Sequence, residues 1–362
     1  MKFTLATSEL NDALRKVLNI VSTRSTLPVL SNVLVSAANK QITLLTTDLE
    51  VSISTTIDAD IEEDGETTLP ARKLGQIVAT LSGEKISIST DENHSTTISS
   101  GSAKFKIMGM ESEEFPKESE FQETRKLTLS SKDFSKILSK IAYAVSTDQT
   151  RFVLNGILLS IREGNFTAVA TDGRRLALVE RIMDDENLVD GDVILPIKVV
   201  NELQRVLDGD DELEIRLSDA RASFNVGSTY IVTKLIEGSY PNYRQVIPSS
   251  FERSVIIPRD KFIEVLNRVS IVVSETSSSI KFSLLENTIS LSASSNDGEA
   301  NEPIEIAYSD EPVDISFNPQ YLRDPLRNLE CDEITVRFND EFKPVVIHGD
   351  EGFLCVIMPM RN

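Results

Sequence analysis

The sequence predicts an α+β protein built from three similar domains in tandem. A short β-like stretch followed by an amphipathic helix occurs three times, in residues 1–22, 125–146 and 253–274. A second helix and a further alternating strand follow in each copy. Each copy takes up about a third of the 362 residues, which is far longer than a solenoid repeat and enough for a domain. We therefore expect domains at 1–124, 125–252 and 253–362.

The first helix of each copy is defined by four apolar positions that superpose without gaps. These positions are separated by four, three and four residues, a spacing that lies on one face of a helix. The superposed residues are Leu10, Phe134 and Phe262, then Leu14, Leu138 and Leu266, then Val17, Ile141 and Val269, and finally Val21, Val145 and Val273. The pattern predicts one amphipathic helix at the start of each domain.

The second helix of each copy precedes an alternating strand. These helices are predicted for residues 69–81, 195–207 and 317–329. Pro325 lies inside the third of them. A proline inside a helix removes one hydrogen bond and costs about 3 kcal/mol. We therefore expect the third helix to begin late or to be kinked at Pro325.

The charge balance, taken alone, argues against a nucleic-acid partner. Lys and Arg number 37 and Asp and Glu number 57, so the formal net charge is −20, whereas nucleic-acid binding depends on positive charge. The predicted helices nevertheless carry net positive charge, and one aligned position is basic in all three copies, as Lys16, Lys140 and Arg268. Two interpretations stay open: these residues are solvated helix positions, or they line a weakly positive surface that faces a polyanion.

The sequence contains no pattern that is typical of an enzyme or a metal site. Its two histidines, His94 and His348, leave little for zinc binding or for a histidine-activated nucleophile. No GxxxxGK or GxGxxG pattern occurs. The acidic run 208–212 fails the EF-hand pattern, because Leu213 stands where that loop needs glycine, and we interpret it as a turn. We predict no catalytic residue, no metal site and no cofactor.

Cysteine content and hydropathy predict the cellular compartment. Cys331 and Cys355 lie far apart and form no CxxC pair, which favours a reducing compartment. No apolar signal core follows Met1, and no run approaches the roughly 18 apolar residues that a membrane span needs. We expect a soluble intracellular protein without a membrane partner.

A series of short motifs lies along the whole chain. They include MKFT at the N-terminus, TDGRRLA at 171–177 and MPMR at 358–361. Further motifs occupy 27–32, 47–50, 69–73, 154–156, 240–244 and 317–318. Each motif alone is weak, but in this order and on a threefold repeat they are specific. The chain resembles the bacterial DNA polymerase III β subunits, which are sliding clamps.

The resemblance implies a head-to-tail homodimer in which two arcs of three clamp domains close a six-domain ring. Each domain would place two helices inside the ring and antiparallel sheets outside. The ring would encircle double-stranded DNA without sequence specificity and tether the replicative polymerase, without catalysing a reaction. Because topology holds a closed ring on DNA, phosphate contacts can stay weak despite the net charge of −20. The family also implies a cytoplasmic, nucleoid-associated location.

The family has a hydrophobic cleft between its second and third domains. This cleft binds short linear motifs from the DNA polymerase III α subunit, the clamp loader, other polymerases and repair proteins. Its apolar residues would take the Leu and Phe side chains of the motif, and methionine can repack for different partners. Carried onto this sequence, the cleft residues are Leu154, Thr171, Gly173, Arg174, Arg175, Leu176, Pro241, Val246, Asn318, Tyr321, Phe342, Val356, Met358, Pro359, Met360 and Arg361.

The resemblance also implies residues for DNA contact and for the dimer interface. The DNA-facing residues are Arg24, Arg72, Lys73, Gln149, Phe152 and Lys198. The interface would join domain 1 to domain 3 of the partner through Lys73, Val272, Val273, Glu299, Glu302 and Glu305. Because Val273 aligns with the apolar positions Val21 and Val145, we expect Val272 to be the exposed valine of the pair.

Three alternatives stay open from the sequence. The first is an enzyme with a small-molecule pocket between domains, the second a DNA-binding protein that grips by charge, and the third a clamp-like paralogue. Stoichiometric nucleotide or metal binding would favour the first, and equal retention on linear and circular DNA would favour the second. Altered binding of a cleft-directed inhibitor would indicate the third.

Overall fold

Three copies of one element order make up the fold. The computed structural model describes residues 1–21, 27–117, 122–183, 189–207, 209–274, 279–296 and 298–361. Over this part of the chain, helices and strands follow the order β-α-β-β-β-β-α-β-β-β three times, with one additional strand, β5, in the first copy. Arg24, which we expected to face DNA, lies outside the described residues.

The bounds of the elements follow the repeat. The first copy contains β1 Lys2–Ala6, α1 Thr7–Val17, β2 Asn32–Ala38, β3 Gln41–Thr47, β4 Val51–Asp58, β5 Asp60–Glu63, β6 Gly65–Pro70, α2 Ala71–Thr80, β7 Lys85–Thr90, β8 Ser95–Ser100 and β9 Ala103–Met108. The second contains β10 Arg125–Ser130, α3 Ser131–Ile141, β11 Gly156–Arg162, β12 Asn165–Thr171, β13 Arg175–Ile182, β14 Gly191–Pro196, α4 Ile197–Val206, β15 Glu212–Leu217, β16 Arg221–Val226 and β17 Thr229–Lys234. The third contains β18 Arg253–Pro258, α5 Arg259–Val269, β19 Ile280–Leu285, β20 Thr288–Ser295, β21 Gly298–Glu305, β22 Val313–Phe317, α6 Pro319–Asn328, β23 Glu333–Phe338, β24 Val345–His348 and β25 Phe353–Ile357.

The chain forms two compact units, and the division between them falls inside the second copy rather than between copies. Unit 1 comprises 1–135 and 198–235, and unit 2 comprises 136–197 and 236–362. Unit 1 contains a five-stranded sheet of order β5-β1-β7-β8-β9 and an eight-stranded sheet of order β10-β15-β16-β17-β4-β3-β2-β6. Unit 2 contains an eight-stranded sheet of order β14-β11-β12-β13-β25-β24-β23-β18 and a four-stranded sheet of order β21-β20-β19-β22.

Each eight-stranded sheet joins strands from two successive copies. In unit 1, β17 of the second copy pairs antiparallel with β4 of the first, with Ile231 opposite Ile53. In unit 2, β13 of the second copy pairs antiparallel with β25 of the third, with Ala177 opposite Cys355. Both pairings are made of backbone hydrogen bonds. The copies are therefore joined by continuous sheet.

The apolar faces predicted for the first helices form the core of each copy. Leu10, Phe134 and Phe262 are 1%, 0% and 0% exposed, which confirms the helical spacing read from the sequence. In unit 2, the ring of Phe262 packs edge-on against Phe282, and Phe282 against Phe317. The first helices are thus held by close-packed side chains rather than by helix propensity alone.

Helix α6 differs from the sequence-based expectation. It begins at Pro319 and continues through Pro325 to Asn328, so the late start was wrong, and the kink at Pro325 stays a prediction. Asn318 caps its first turn, because the Asn318 side chain accepts a hydrogen bond from the Gln320 backbone N–H, and Pro319 has a backbone angle that suits a first helical position. Pro325 is buried on the same face as Leu322. Burial of this apolar face offsets the hydrogen bond that Pro325 cannot donate.

A partly buried ion pair fixes α3 to the third copy within unit 2. The Lys140 ammonium lies 2.5 Å from a carboxylate oxygen of Asp350, and the two side chains are 12% and 14% exposed. The Asp350 carboxylate also accepts the backbone N–H groups of Glu330 and Cys331. Burial raises the pKa of Asp350, but the hydrogen bonds from Lys140 and the two N–H groups outweigh it and hold the pKa below its ordinary value.

We expect the Asp350→Asn variant to unfold at pH 7 with a free energy about 2 kcal/mol below that of the wild type, because Lys140 would keep a partly buried charge without its partner. A carboxyl whose pKa is lowered by folding stabilises the protein above its unfolded pKa of about 3.9. The difference should therefore shrink as the pH falls below about 4. Urea unfolding from pH 7 to pH 3 measures it.

Glu330→Gln is the matched control for this prediction. It breaks the ion pair between Lys136, also on α3, and Glu330, whose side chains are 36% and 63% exposed. We expect a change within about 0.5 kcal/mol. Equal losses in the two variants would contradict a special role for Asp350.

Candidate functional site

All sixteen cleft residues carried over from the resemblance lie in unit 2 and within its described residues. The pairing of β13 with β25 brings several of them together, since Leu176 lies opposite Val356. Beyond β25, the Met358 N–H donates to the Arg174 carbonyl at 2.9 Å. The Met360 N–H donates to the Ser316 carbonyl at 2.8 Å. The backbone after β25 is thus anchored while the methionine side chains stay exposed.

Two of the expected cleft residues are buried apolar side chains, which we call the apolar floor, and four are exposed apolar side chains. Leu176 and Val356 are each 2% exposed and belong to one hydrophobic cluster with Leu158, Val169, Leu178, Ile194 and Val346. The exposed apolar side chains are Val246, Phe342, Met358 and Met360, at 46%, 61%, 39% and 36% exposure. Exposed apolar groups beside a closed core are typical of a surface that binds apolar side chains. Of the remaining expected cleft residues, Leu154 is buried, Pro359 is partly exposed, and Pro241 and Arg361 are exposed.

Arg175 lies at the centre of a network of polar contacts in the cleft. Its guanidinium donates to Asp172 at 3.1 Å, to Asp324 at 2.5 Å and to the Tyr143 carbonyl at 2.5 Å. It also lies 4.6 Å from the ring centroid of Tyr321. Burial lowers the pKa of Arg175, but the two carboxylates outweigh it and raise the pKa above its ordinary value. With its side chain 10% exposed, Arg175 joins the turn 171–175 to α6 and is not a free surface charge.

The turn 171–175 places three further cleft residues. The Thr171 hydroxyl donates to the Arg175 carbonyl at 2.7 Å, and Asp172 accepts the N–H groups of Arg174 and Arg175. Gly173 has a φ of +83°, a left-handed conformation that favours glycine. A Cβ at Gly173 would lie 2.8 Å from the terminal nitrogen of Arg151.

Sequence reasoning missed two side chains that support this turn. The Arg151 guanidinium donates to the Asp172 carbonyl at 3.0 Å, and the Tyr240 hydroxyl accepts the Thr171 N–H at 3.1 Å. Burial raises the pKa of Tyr240, so its hydroxyl stays protonated and can also donate. Tyr240 opens the motif at 240–244, so the signal for it was present. No local pattern indicates Arg151, because Arg151 and its partner Asp172 lie in different segments of the chain.

The residues expected to face DNA have different environments. Arg72 and Lys73 are exposed in the first turn of α2, and Gln149 and Phe152 are exposed in the short 3-10 segment Gln149–Leu154. Lys198 on α4 instead forms ion pairs with Asp48 and Glu50.

The three aligned basic positions have different environments. Lys16 is exposed, Lys140 is partly buried beside Asp350, and Arg268 pairs with Glu302 and Glu264. The alignment alone therefore does not define a positive surface, and for Lys140 that interpretation was wrong.

The predicted interface valines are accompanied by a more exposed residue. Val272 and Val273 are both partly exposed, so the expectation that Val273 is core was wrong, and Ile271 beside them is 80% exposed. Among the expected acidic residues, Glu302 forms a bidentate ion pair with Arg268 in the same chain. Hydrogen bonds from Arg268 lower the pKa of Glu302.

No group of three or more His, Cys, Asp or Glu side chains in the described ranges is arranged to hold a metal ion. In the same part of the chain, no helix combines the length and the apolar character needed to cross a membrane.

Comparison with known proteins identifies the class. The models for the N-terminal, central and C-terminal domains of the DNA polymerase III beta subunit match residues 1–119, 128–242 and 244–361. The beta sliding clamp of Chlamydia muridarum is 32% identical over 100% of this chain and 99% of its own length.

Solved structures agree. The sliding clamp of Bartonella birtlesii superposes with a TM-score of 0.94 at 31% identity, and that of Pseudomonas aeruginosa with 0.95 at 29% identity, each over 100% of both chains. Both were solved bound to griselimycin.

A protein of three repeated α+β domains with these matches is a sliding clamp, a processivity factor rather than an enzyme. The chain belongs to the family of bacterial DNA polymerase III β subunits. The fold class and the family inferred from the sequence are thereby confirmed.

We expect Gly173→Ala to lower the stability of the protein. A non-glycine residue in a left-handed conformation costs about 1 kcal/mol, and the new Cβ would displace Arg151 from Asp172. Urea unfolding should show this loss. Because the hydrogen bond from Arg151 to the Asp172 carbonyl would be lost as well, the free energy of unfolding should fall by about 2 kcal/mol in total.

Gly101→Ala is its control, since Gly101 has a φ of +57° with nothing within 4 Å of the added Cβ. It should lose only the roughly 1 kcal/mol of the left-handed conformation. The same loss in Gly173→Ala and in Gly101→Ala would contradict the role given to the contact between Arg151 and Asp172.

Proposed function

We propose that this chain forms a head-to-tail homodimeric ring that encircles duplex DNA and tethers the replicative polymerase. The protein would act in the cytoplasm, on the nucleoid, and each protomer would contribute clamp domains 1–124, 125–252 and 253–362. The observation that carries the proposal is the repeated sheet junction between copies. It occurs at β17–β4 and at β13–β25. The corresponding strand of the first copy and that of the third copy each lie at the edge of a sheet.

These two edge strands are β9 and β21. In element order, β9 corresponds to β17 and β25, and β21 corresponds to β4 and β13. Each ends its own sheet, so its outer backbone groups are available for pairing. Pairing β9 of one protomer with β21 of the other would repeat the same junction. A head-to-tail contact of this kind closes a ring when the rotation allows it.

The register of that pairing follows from the two junctions inside the chain. Phe105 lies opposite Ile98 within its sheet, as Cys355 lies opposite Ile347 and Ile231 opposite Phe224. Ala300 lies opposite Ala293, as Ala177 lies opposite Ala170 and Ile53 opposite Thr46. Since Ile231 faces Ile53 and Cys355 faces Ala177, Phe105 would face the partner's Ala300.

This register sets opposite charges against each other. It places Lys106 opposite the partner's Glu299 and Lys104 opposite the partner's Asn301. Exposed apolar groups accompany the charges: Phe105 is 37% and Met108 is 60% exposed at β9, and Ile271 is 80% exposed. Val272, next to Ile271, lies 3.8 Å from the Cβ position of Gly298 at the start of β21. The proposed interface thus combines backbone pairing, ion pairs and apolar contact.

The cleft residues would bind linear motifs of the polymerase, the clamp loader and repair proteins. The apolar floor at Leu176 and Val356 and the exposed methionines support this assignment. The relatives that were solved with griselimycin bound indicate that this fold accepts a ligand. For DNA, weak contacts by exposed residues such as Arg72 and Lys73 would suffice, because the closed ring prevents dissociation.

The proposal predicts that retention on DNA depends on topology. The protein is loaded onto nicked circular plasmid with a clamp loader and ATP, the salt is raised, and the plasmid is then linearised. We expect the protein to remain on the circle at high salt and to leave the cut molecule. Loss from both forms as salt rises, with no effect of cutting, would indicate binding by charge and contradict the ring.

The register predicts a charge-reversal rescue. Lys106→Glu and Glu299→Lys, each alone, should weaken the dimer roughly tenfold, because like charges would face each other across the junction. The double variant should restore the dimer. Sedimentation equilibrium measures the dissociation constant.

Lys126→Glu is the matched control. It reverses the charge of another strand lysine, which pairs with Glu214 inside unit 1, and should leave the dimer unchanged. If the double variant is as weak as the singles, the register is wrong.

A further inference from the structure

We propose that Asp324 is a positioning residue for the partner cleft and acts through Arg175. This inference rests on the proposed function of the cleft and adds a residue outside the set that the resemblance supplied. Asp324 lies on α6 with its side chain 15% exposed. Its carboxylate reaches Arg175 on β13, so one ion pair joins a helix of the third copy to a strand of the second.

Both oxygens of the Asp324 carboxylate are engaged. One accepts the Arg175 guanidinium at 2.5 Å, and the other accepts the side-chain amide of Gln320. The Asp324 carbonyl accepts the Asn328 side chain at 2.9 Å. Contacts within α6 therefore hold Asp324 in place independently of its ion pair with Arg175.

Arg175 lies between two carboxylates that come from different elements. Asp172 belongs to the turn 171–175 and Asp324 to α6. The ring of Tyr321, three residues before Asp324, stacks on the same guanidinium. Residues three apart lie on one helix face, so Tyr321 and Asp324 approach Arg175 together. A planar guanidinium with several fixed donors suits this role, because it holds several partners in one geometry.

The cleft depends on this arrangement through the backbone. The Arg175 carbonyl accepts the hydroxyl of Thr171 and the N–H of Asp172. The neighbouring Arg174 carbonyl accepts the N–H of Met358. Loss of the Asp324 carboxylate would leave Arg175 held by Asp172 and by the Tyr143 carbonyl, without its ion pair to α6. The ring of Tyr321 and the turn would then have more freedom, and binding a ligand would require ordering them again.

The other junction inside the chain provides an internal comparison. When the second helices are aligned, Glu202 on α4 stands where Asp324 stands on α6, and Val51 stands where Arg175 stands. Glu202 pairs with Arg205 on its own helix. The position of Leu176, in the cleft floor, is taken by Ser52. At the junction in unit 1, α4 instead contacts the corresponding turn through Lys198 and Asp48, so the ion pair between Asp324 and Arg175 is a feature of the junction that has Leu176 in its floor.

The test measures ligand binding by Asp324→Asn. The probes are griselimycin and a fluorescein-labelled peptide with the sequence Leu-Ser-Leu-Phe, titrated against the full-length dimer. We expect both dissociation constants to rise about tenfold, while the retention on circular DNA and the dimer stay unchanged. Asp314→Asn, which breaks the exposed ion pair with Lys281, is the control and should bind as the wild type does.

A double-mutant cycle separates positioning from general destabilisation. If Asp324 acts through Arg175, Asp324→Asn should change the dissociation constant less than about twofold in an Arg175→Met background. Asp324→Glu keeps the charge and should recover most of the affinity for both probes. Its unfolding midpoint should be similar to that of Asp324→Asn.

Three results would overturn the inference. They are wild-type affinity in Asp324→Asn, effects of the two substitutions that simply add, and no recovery in Asp324→Glu. A wild-type chain that binds neither probe would contradict the proposed cleft itself, and this inference with it.

Discussion

The rest of the structure depends on backbone hydrogen bonding between strands of successive copies. An antiparallel ladder needs only N–H and C=O groups at the right spacing, so β17–β4 and β13–β25 can share one geometry with unrelated side chains. The facing residues are Ile231 and Ile53 in one junction and Cys355 and Ala177 in the other. This explains how three copies that have diverged in sequence keep one architecture. It also makes a third junction, between protomers, the natural completion of the series.

The side chains around the two junctions differ. The junction in unit 2 has Arg175 between two carboxylates and an apolar floor beside it. The junction in unit 1 has Lys198 paired with Asp48 in the corresponding turn. The backbone supplies the frame in both cases, and a small number of substitutions decides which junction can bind a partner. A single cleft in each protomer is thus compatible with the repeated fold.

Much of the fold could be predicted because its signals are local. The apolar spacing at Leu10, Phe134 and Phe262 indicated the first helices, and those helices are present with that face buried. The start of α6 could not be predicted from Pro325, because its stability comes from the Asn318 cap and from burial against distant residues. Local propensity is outweighed there by tertiary packing.

The candidate site shows the same limit. The motif at 171–177 identified the turn, but Arg151 and Asp324 reach it from segments about 20 and 150 residues away. Lys140 looked like a surface charge because its partner, Asp350, is 210 residues further along the chain. The sequence indicated Val272 rather than Ile271 as the exposed residue, because alignment with core positions in the other copies gives no information on exposure. Contacts between distant segments leave no periodic pattern in a single sequence.

Some charged side chains are shielded from solvent and others are open to it, and this difference determines how salt affects movement along DNA. The Lys140–Asp350 pair is largely removed from solvent, so dissolved ions screen it little, whereas Arg72 and Lys73 are open to them. If Arg72 and Lys73 face DNA as proposed, raising the ionic strength would weaken their attraction to the phosphates without loosening the ion pair of Lys140 and Asp350. The speed of diffusion along the duplex and the integrity of the protein would respond to salt independently.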